Sequence, residues 1–230
     1  MISMAKVAAI TGAYKGLGAS LSMALAGKGY KLALVGRDRK ELERFAAGIK
    51  NTDVLPVVAD VRKKKDCERI VNAAVRRFGR LDLLVNNAGV WKSAKIDDAK
   101  EEDIREMFEV NVFGPIYCSQ AAVRVMRRQG SGHILNIGST SAVDNKSSHV
   151  AYGSSKAALI GFTGCLGKEL EGTGIRVSVF SPGGMKTHLF RSRPERMGDD
   201  FMDPDFVAKR IIRHIENPGN KWHVVLRIPQ

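Results

Sequence analysis

The chain has 230 residues, 44% of them hydrophobic, with a formal net charge of +13 and three cysteines. That length can bury a sizeable core, and no run of about 18 apolar residues occurs that could span a membrane. Cys67, Cys118 and Cys165 are odd in number and far apart, without a disulfide framework or a zinc spacing, which suits a reducing cytoplasm. The five histidines show no HxxxH or HExxH spacing, so no metal is expected. The start, Met1 to Lys6, runs straight into an apolar pattern without the regions of a secretory leader. The positive excess favours acidic partners such as nucleotides, phosphorylated substrates or acidic carrier proteins, and equally fits an ordinary basic surface. No aromatic-interleaved basic run is present, so nucleic acid is not an expected partner.

In chain order, Lys6–Ile10 is a short apolar run that ends in Thr11-Gly12-Ala13-Tyr14-Lys15-Gly16-Leu17-Gly18. The amphipathic segment Ala19–Lys28 follows, and Lys31–Val35 is strand-like again. Strand, glycine turn, helix and strand make a right-handed βαβ unit. Its glycines let the backbone approach a pyrophosphate, and the helix N-terminus favours the negative charge. The alternation continues with a helix over Asp38–Lys50, a strand over Val54–Val58, a helix over Lys63–Phe78 and a strand over Leu81–Val85. Asp98–Arg128 reads as one long helix kinked at Gly114-Pro115. The strand His133–Ile137, the helix Val150–Glu171, the strand Arg176–Phe180, the helix Pro204–Ile215 and the strand Trp222–Ile228 complete the pattern. Seven strands separated by helices predict an α/β fold: a doubly wound, mainly parallel sheet with helices on both faces. No linker or repeat interrupts it, so one domain over 1–230 is expected.

In such sheets a ligand binds outside the carboxyl ends of the strands. The unusual residues cluster there: Gly12 to Gly18, Asp60-Val61, Asn86 to Gly89, Gly138-Ser139 and Pro182-Gly183. Tyr152 and Lys156 are spaced i, i+4, so they share one helix face. A neighbouring ammonium lowers a phenol's pKa and makes it a usable general acid. Cys118 and Cys165 read as buried small apolar residues, and Trp91 and Trp222 as packing residues.

These motifs, TGxxxGxG at Thr11–Gly18, NNAG at Asn86–Gly89, a serine at 139 and YxxxK at Tyr152–Lys156, resemble those of the short-chain dehydrogenases/reductases over essentially the whole chain. The resemblance implies a Rossmann-type domain that transfers a hydride between a nicotinamide and a carbonyl or secondary alcohol. It implies Tyr152 as proton donor, Ser139 as hydrogen-bond partner of the substrate oxygen, and Lys156 as holder of the nicotinamide ribose. Asn111 would anchor a water at a helix break. Thr11, Gly12, Tyr14, Lys15, Gly16, Leu17, Gly18, Arg37, Asp60, Val61, Asn87, Ala88, Gly89, Pro182, Gly183 and Thr187, together with Tyr152 and Lys156, would contact the cofactor. Ser139 as a loop cap, Asn111 as a helix-break cap and Thr187 as a helix start are the plainer readings of those residues. A nucleotide-binding regulatory protein of the same fold with weak turnover is the alternative function.

Relatives of this kind pair as homodimers or homotetramers through the helices matching Asp98–Arg128 and Val150–Glu171. The segment after Pro182-Gly183 is short for the family, and Trp222–Gln230 lacks the glycine-rich approach common in tetrameric relatives. A substrate lid is expected over about 184–205. There Lys186, Arg191, Arg193 and Arg196 mix with Leu189, Phe190, Met197 and Phe201, so a small carbonyl or alcohol substrate could also be anionic or carrier-bound.

The cofactor expected is NADPH. Relatives that prefer NAD carry an acidic residue at the position matching Gly36, where it repels a 2′-phosphate. Here Gly36 is followed by Arg37, which offers a planar fork to phosphate, while Lys15 offers a point charge. Asp38 is the rival ribose ligand, and reads here as the cap of the next helix.

Overall fold

A computed structural model describes residues 5–144, 147, 149–190 and 201–227. Seven strands form one sheet: β1 (Val7–Thr11), β2 (Lys31–Gly36), β3 (Val54–Val58), β4 (Leu83–Asn86), β5 (Gly132–Ile137), β6 (Ile175–Pro182) and β7 (His223–Leu226). Their order is β3-β2-β1-β4-β5-β6-β7, with each neighbouring pair parallel. The topology reverses between β1 and β4, which opens a crevice at their carboxyl ends.

Residues of alternate parity on each strand serve opposite faces. Val7, Ala9, Ala33, Val35 and Leu84 join one core with α3 (Lys64–Phe78) and the helix α5 (Gly114–Gln129). Ala8, Ile10, Leu32, Leu34 and Val85 join the other with α1 (Gly16–Gly27), α2 (Arg39–Gly48) and α7 (Pro204–Glu216). Burial of this continuous apolar surface on both faces is what selects an all-parallel sheet. The helix α6 (Val150–Glu169) lies beside β6 and sends Tyr152, Ser155, Lys156, Leu159 and Thr163 inward.

Two sequence expectations change. The stretch read as one helix kinked at Gly114-Pro115 is α4 (Glu101–Phe108), a π-helical turn over Glu109–Phe113, and then α5. The Gly114 N–H reaches back five residues to the Glu109 carbonyl. Pro115 has no N–H to give the Asn111 carbonyl four residues back, so the wider turn precedes it. Cys165 is exposed while Cys67 and Cys118 are buried. The inward stripe of α6 passes through 152, 155/156, 159 and 163, and position 165 falls outside it.

Candidate active site

A cavity of about 600 Å³ lies at the carboxyl ends of β1, β2, β3 and β4, and extends past β5 to Tyr152 and Lys156. Its floor is the turn between β1 and α1. Gly12 there has φ +64°, and a Cβ on Gly18 would stand 2.0 Å from the Gly12 carbonyl oxygen, so helix and turn close on one another only with glycine at 18. The Ser22 hydroxyl donates to the carbonyls of Gly18 at 2.7 Å and Ala13 at 3.1 Å, which fixes α1 against the turn. The N-terminus of α1 has no side-chain cap and no acidic residue in its first turn. Its leading N–H groups face the cavity and suit an anion.

Thr11 and Asn87 lock β1 to the chain leaving β4. The Asn87 and Ala88 N–H groups both donate to the Thr11 hydroxyl at 3.0 Å, and Asn87 Nδ2 donates to the Thr11 carbonyl at 2.9 Å. Thr11 is therefore buried behind the floor, while Gly12, Tyr14, Lys15, Gly16, Leu17 and Gly18 line the cavity itself.

At the far end stand the groups read as catalytic. Tyr152 and Lys156 both line the cavity, and Lys156 Nζ lies 5.9 Å from the centroid of the Tyr152 ring. The ammonium donates to the Ile137 carbonyl at 2.8 Å. Burial pulls its pKa down to about 8. Burial also pushes the Tyr152 phenol up to about 12, opposed by a hydrogen bond with the Ser139 side chain. The expectation that Lys156 lowers the phenol's pKa is thus not met. The Lys156 ammonium serves the end of β5, and desolvation dominates the phenol.

Ser139 also accepts from the Ser141 N–H at 3.1 Å, so it caps the short turn Thr140–Ala142 as well as facing Tyr152. Asn111 sits in the π-helical turn, fully buried. Its Oδ1 accepts from the Val90 N–H at 2.9 Å, and its Nδ2 donates to the Val90 carbonyl at 2.9 Å and the Ser155 hydroxyl at 3.1 Å. Ser155 in turn donates to the Tyr152 carbonyl at 2.7 Å. The side chain therefore clamps the loop after β4 to α6.

Near Tyr152 the cavity is lined by apolar Val90, Trp91 and Leu189, with Lys92, Glu106 and His188 also in the lining. Trp91, Met107 and Tyr152 pack together, with Val90, Ala151 and Leu189 against them. His149 stands edge-on to both Trp91, at 5.6 Å between centroids, and Tyr152, at 6.2 Å. The sequence does not point to His149, points to Leu189 only as part of the lid, and reads Trp91 as packing. Trp91 follows Gly89 by two residues, and that proximity was the available signal. Lys92, also at this end, pairs with Asp103 at 3.2 Å and Glu106 at 3.6 Å, which holds its pKa up.

At the opposite end, Gly36 and Arg37 line the cavity beside Tyr14 and Lys15. Asp38 turns away: its carboxylate accepts from the Glu41 N–H at 3.0 Å and caps α2. Asp60 and Val61 form the neighbouring wall. Two 3.0 Å hydrogen bonds from Arg62 Nε engage the Asp60 carboxylate and hold its pKa below the usual range. Thr187 reaches the cavity from the segment after β6, and a Cβ on Gly16 would meet its side chain at 3.0 Å. Asn111, Ser139, Pro182 and Gly183 stand behind the cavity wall, the last with its N–H on the Leu226 carbonyl at 2.9 Å. Of the basic segment expected to form a lid, Arg191, Arg193, Arg196 and Met197 lie outside the described residues.

A glycine turn running into an uncapped helix N-terminus, at the switch point of a parallel sheet, defines a nucleotide-binding α/β protein. Residues 6–198 match the family model of the short chain dehydrogenases. The chain is 33% identical to an uncharacterized oxidoreductase of Staphylococcus aureus (strain MW2) over 216 residues, 94% of this chain and 93% of that relative. Among solved structures, a 3-ketoacyl-(acyl-carrier-protein) reductase from Brucella melitensis complexed with NADH superposes with a TM-score of 0.87 at 28% identity, covering 96% of each chain. An alcohol dehydrogenase from Thermococcus sibiricus complexed with 5-hydroxy-NADP gives a TM-score of 0.88 at 28% identity, covering 98% of this chain and 99% of that one. The chain belongs to the short-chain dehydrogenase family of oxidoreductases.

Proposed function

We propose that this protein is an NADPH-preferring reductase of small, neutral carbonyl compounds, working in the cytoplasm. The observation that carries the cofactor choice is that Lys15 and Arg37 line the same end of the cavity as the side-chain-free Gly36, with Asp38 committed to capping α2. Among the described residues Arg37 has no salt bridge, and Asp60, which feels its charge, is paired with Arg62, so its guanidinium is available to a 2′-phosphate. A hydrogen bond to a charged group contributes about 1.5–3 kcal/mol, so one such contact gives roughly ten- to hundredfold discrimination.

The residues present fit a nicotinamide dinucleotide: anion-seeking N–H groups at α1, cations at the adenosine-ribose end, and Lys156 beside Tyr152. Once bound, that cofactor supplies the hydride. The protein's own part is to place and protonate the carbonyl. Tyr152 Oη gives the proton to the substrate oxygen, and Ser139 Oγ steadies the charge developing there. Lys156, charged below about pH 8, holds the ribose hydroxyls. Asn111 keeps the loop carrying Val90 and Trp91 in register with Tyr152, and its backbone carbonyl, to which Pro115 has no N–H to offer, is the group assigned to a relay water. The apolar stretch of Val90, Trp91 and Leu189 in the cavity lining supports a neutral ketone over the anionic or carrier-bound substrate. Homodimer or homotetramer formation through α5 and α6 belongs to the same reading. Tyr152 and Lys156 at the cavity, with Ser139 hydrogen-bonded to Tyr152, argue against a purely regulatory protein.

The test is cofactor oxidation by the unaltered protein with diketones, quinones, steroids and 3-oxoacyl thioesters. The expected result is substrate-dependent oxidation with kcat/KM at least about tenfold higher for NADPH than for NADH. Equal values with the two cofactors would return Asp38 to consideration as a ribose ligand.

A further inference from the structure

Position 36 lacks a side chain, and the neighbouring residue that makes this necessary is Tyr14. A Cβ built on Gly36 would stand 2.1 Å from Tyr14 Cε1 and 2.6 Å from Cδ1. Distances that short do not occur between non-bonded carbons, so one of the two groups would have to move. Gly36 has the parity of Leu32 and Leu34, whose side chains join the core beneath α1 and α2, and Tyr14 is half-buried against that same core. The ring is also held from above. Lys15 Nζ lies 5.1 Å over its centroid, and 3.9 Å from the Glu41 carboxylate in the first turn of α2. With the core on one side, a displaced ring has its open direction toward the cavity that Tyr14 lines.

We propose that Tyr14 is the specificity-determining residue of the adenosine end. Its ring takes the space that any side chain at 36 needs, bars an acidic ribose ligand there, and carries the Lys15 ammonium beside Arg37. Cofactor choice then depends on a pair, Tyr14 with Gly36, rather than on the charge at 36 alone. This rests on the NADPH reading above for the role of Lys15 and Arg37, whereas the steric claim stands on the ring and the glycine.

Two consequences follow for substitution. An aspartate at 36 should not by itself convert the protein to NADH, because the displaced ring occupies cofactor space. Removing the ring first should make the same substitution productive.

The experiment measures dissociation constants for NADPH and NADH by fluorescence titration, with thermal midpoints recorded alongside. The proteins are the unaltered chain, Tyr14→Ser, Tyr14→Phe, Gly36→Ala, Gly36→Asp and the double variants. Gly36→Ala adds only the Cβ and keeps the test alive where Gly36→Asp fails to fold. Gly36→Ala alone should weaken NADPH binding on the order of tenfold or more. In the Tyr14→Ser background it should cost no more than about threefold. In the Tyr14→Phe background, where the ring remains, the full loss should persist. Gly36→Asp alone should weaken both cofactors, while Tyr14→Ser/Gly36→Asp should regain NADH binding and leave NADPH weak. The proposal is overturned if Gly36→Ala costs the same with and without the ring, or if Gly36→Asp alone binds NADH as tightly as the double variant. Equal affinity of the unaltered protein for NADH and NADPH would sink the NADPH reading instead, and would leave the Tyr14–Gly36 coupling to be decided by the alanine pair.

Discussion

Lys156 and Tyr152 are four residues apart in sequence, yet burial moves them in opposite directions: the ammonium down to about 8 and the phenol up to about 12. Each shift favours the neutral form. Their consequence is a single descending limb in the pH profile of reduction. Below about pH 8 Lys156 is charged and can hold the ribose hydroxyls assigned to it; above it that charge is lost while Tyr152 is still protonated. For reduction by the free enzyme, kcat/KM should therefore fall as pH rises through about 8, and stay flat toward the acid side. Rates with one good ketone across pH 6 to 10 would show it, and a profile flat to about pH 10 would show that the charge on Lys156 does not govern the rate. Lys156→Ala should harm both turnover and NADPH binding, because the same ammonium is assigned to the ribose.

At the scale of elements, Asn111 joins three of them: the π-helical turn, the loop after β4 and α6. Asn111→Ala removes the side-chain partner of the half-buried Val90 N–H and carbonyl and of the buried Ser155 hydroxyl, at a cost of about 1–3 kcal/mol. For a chain of this size that is a fall of roughly 2–10 °C in Tm. Turnover should fall as well, because Val90 and Trp91 lose their register with Tyr152. A variant with unchanged Tm and undiminished turnover would show that the clamp does not position the site.

The order and type of nearly every element were legible from apolar period and punctuation: seven strands, the glycine turn, and Asp38 as the cap of α2. The π-helical turn was not, because the kink signal of Gly114-Pro115 marks where regular hydrogen bonding fails and not how the helix accommodates the failure. The site was legible as a set of motifs. What the sequence hid are contacts between residues remote along the chain: the ring of Tyr14 against Gly36, Trp91 and His149 around Tyr152, and Lys156 turned to the Ile137 carbonyl. Cys165 was misread because helical phase, not residue type, decides which cysteine is buried.

At the scale of the molecule, the sheet buries a basic cluster away from the cavity. His133 on β5 bonds the Ser178 hydroxyl at 2.7 Å, and His214 on α7 lies 3.2 Å from Arg176 on β6. Burial first, then the Arg176 charge, push His133 down to about 3 and His214 to about 4. Both are neutral in the folded protein at pH 7, and the unfolded chain takes up their protons near pH 6.5. Their contribution is thus present above the unfolded value and is lost progressively as pH falls toward the folded ones. For His133 alone the slope is about 1.4 kcal/mol per pH unit in that window. Urea midpoints should fall between pH 7 and pH 5, and His133→Asn should flatten the dependence. An undiminished slope in that variant would assign acid sensitivity elsewhere.

The measurement that bears most directly on the whole account is a single turnover of the NADPH-loaded protein, comparing the unaltered chain with Tyr152→Phe. The ring and its packing against Trp91 and Met107 survive this change, and only the proton donor goes. The account predicts a loss of hydride transfer to a good ketone of about 10²–10⁴-fold, the range for a positioned general acid, with NADPH affinity within a few-fold. Retention of most of the single-turnover rate would contradict it.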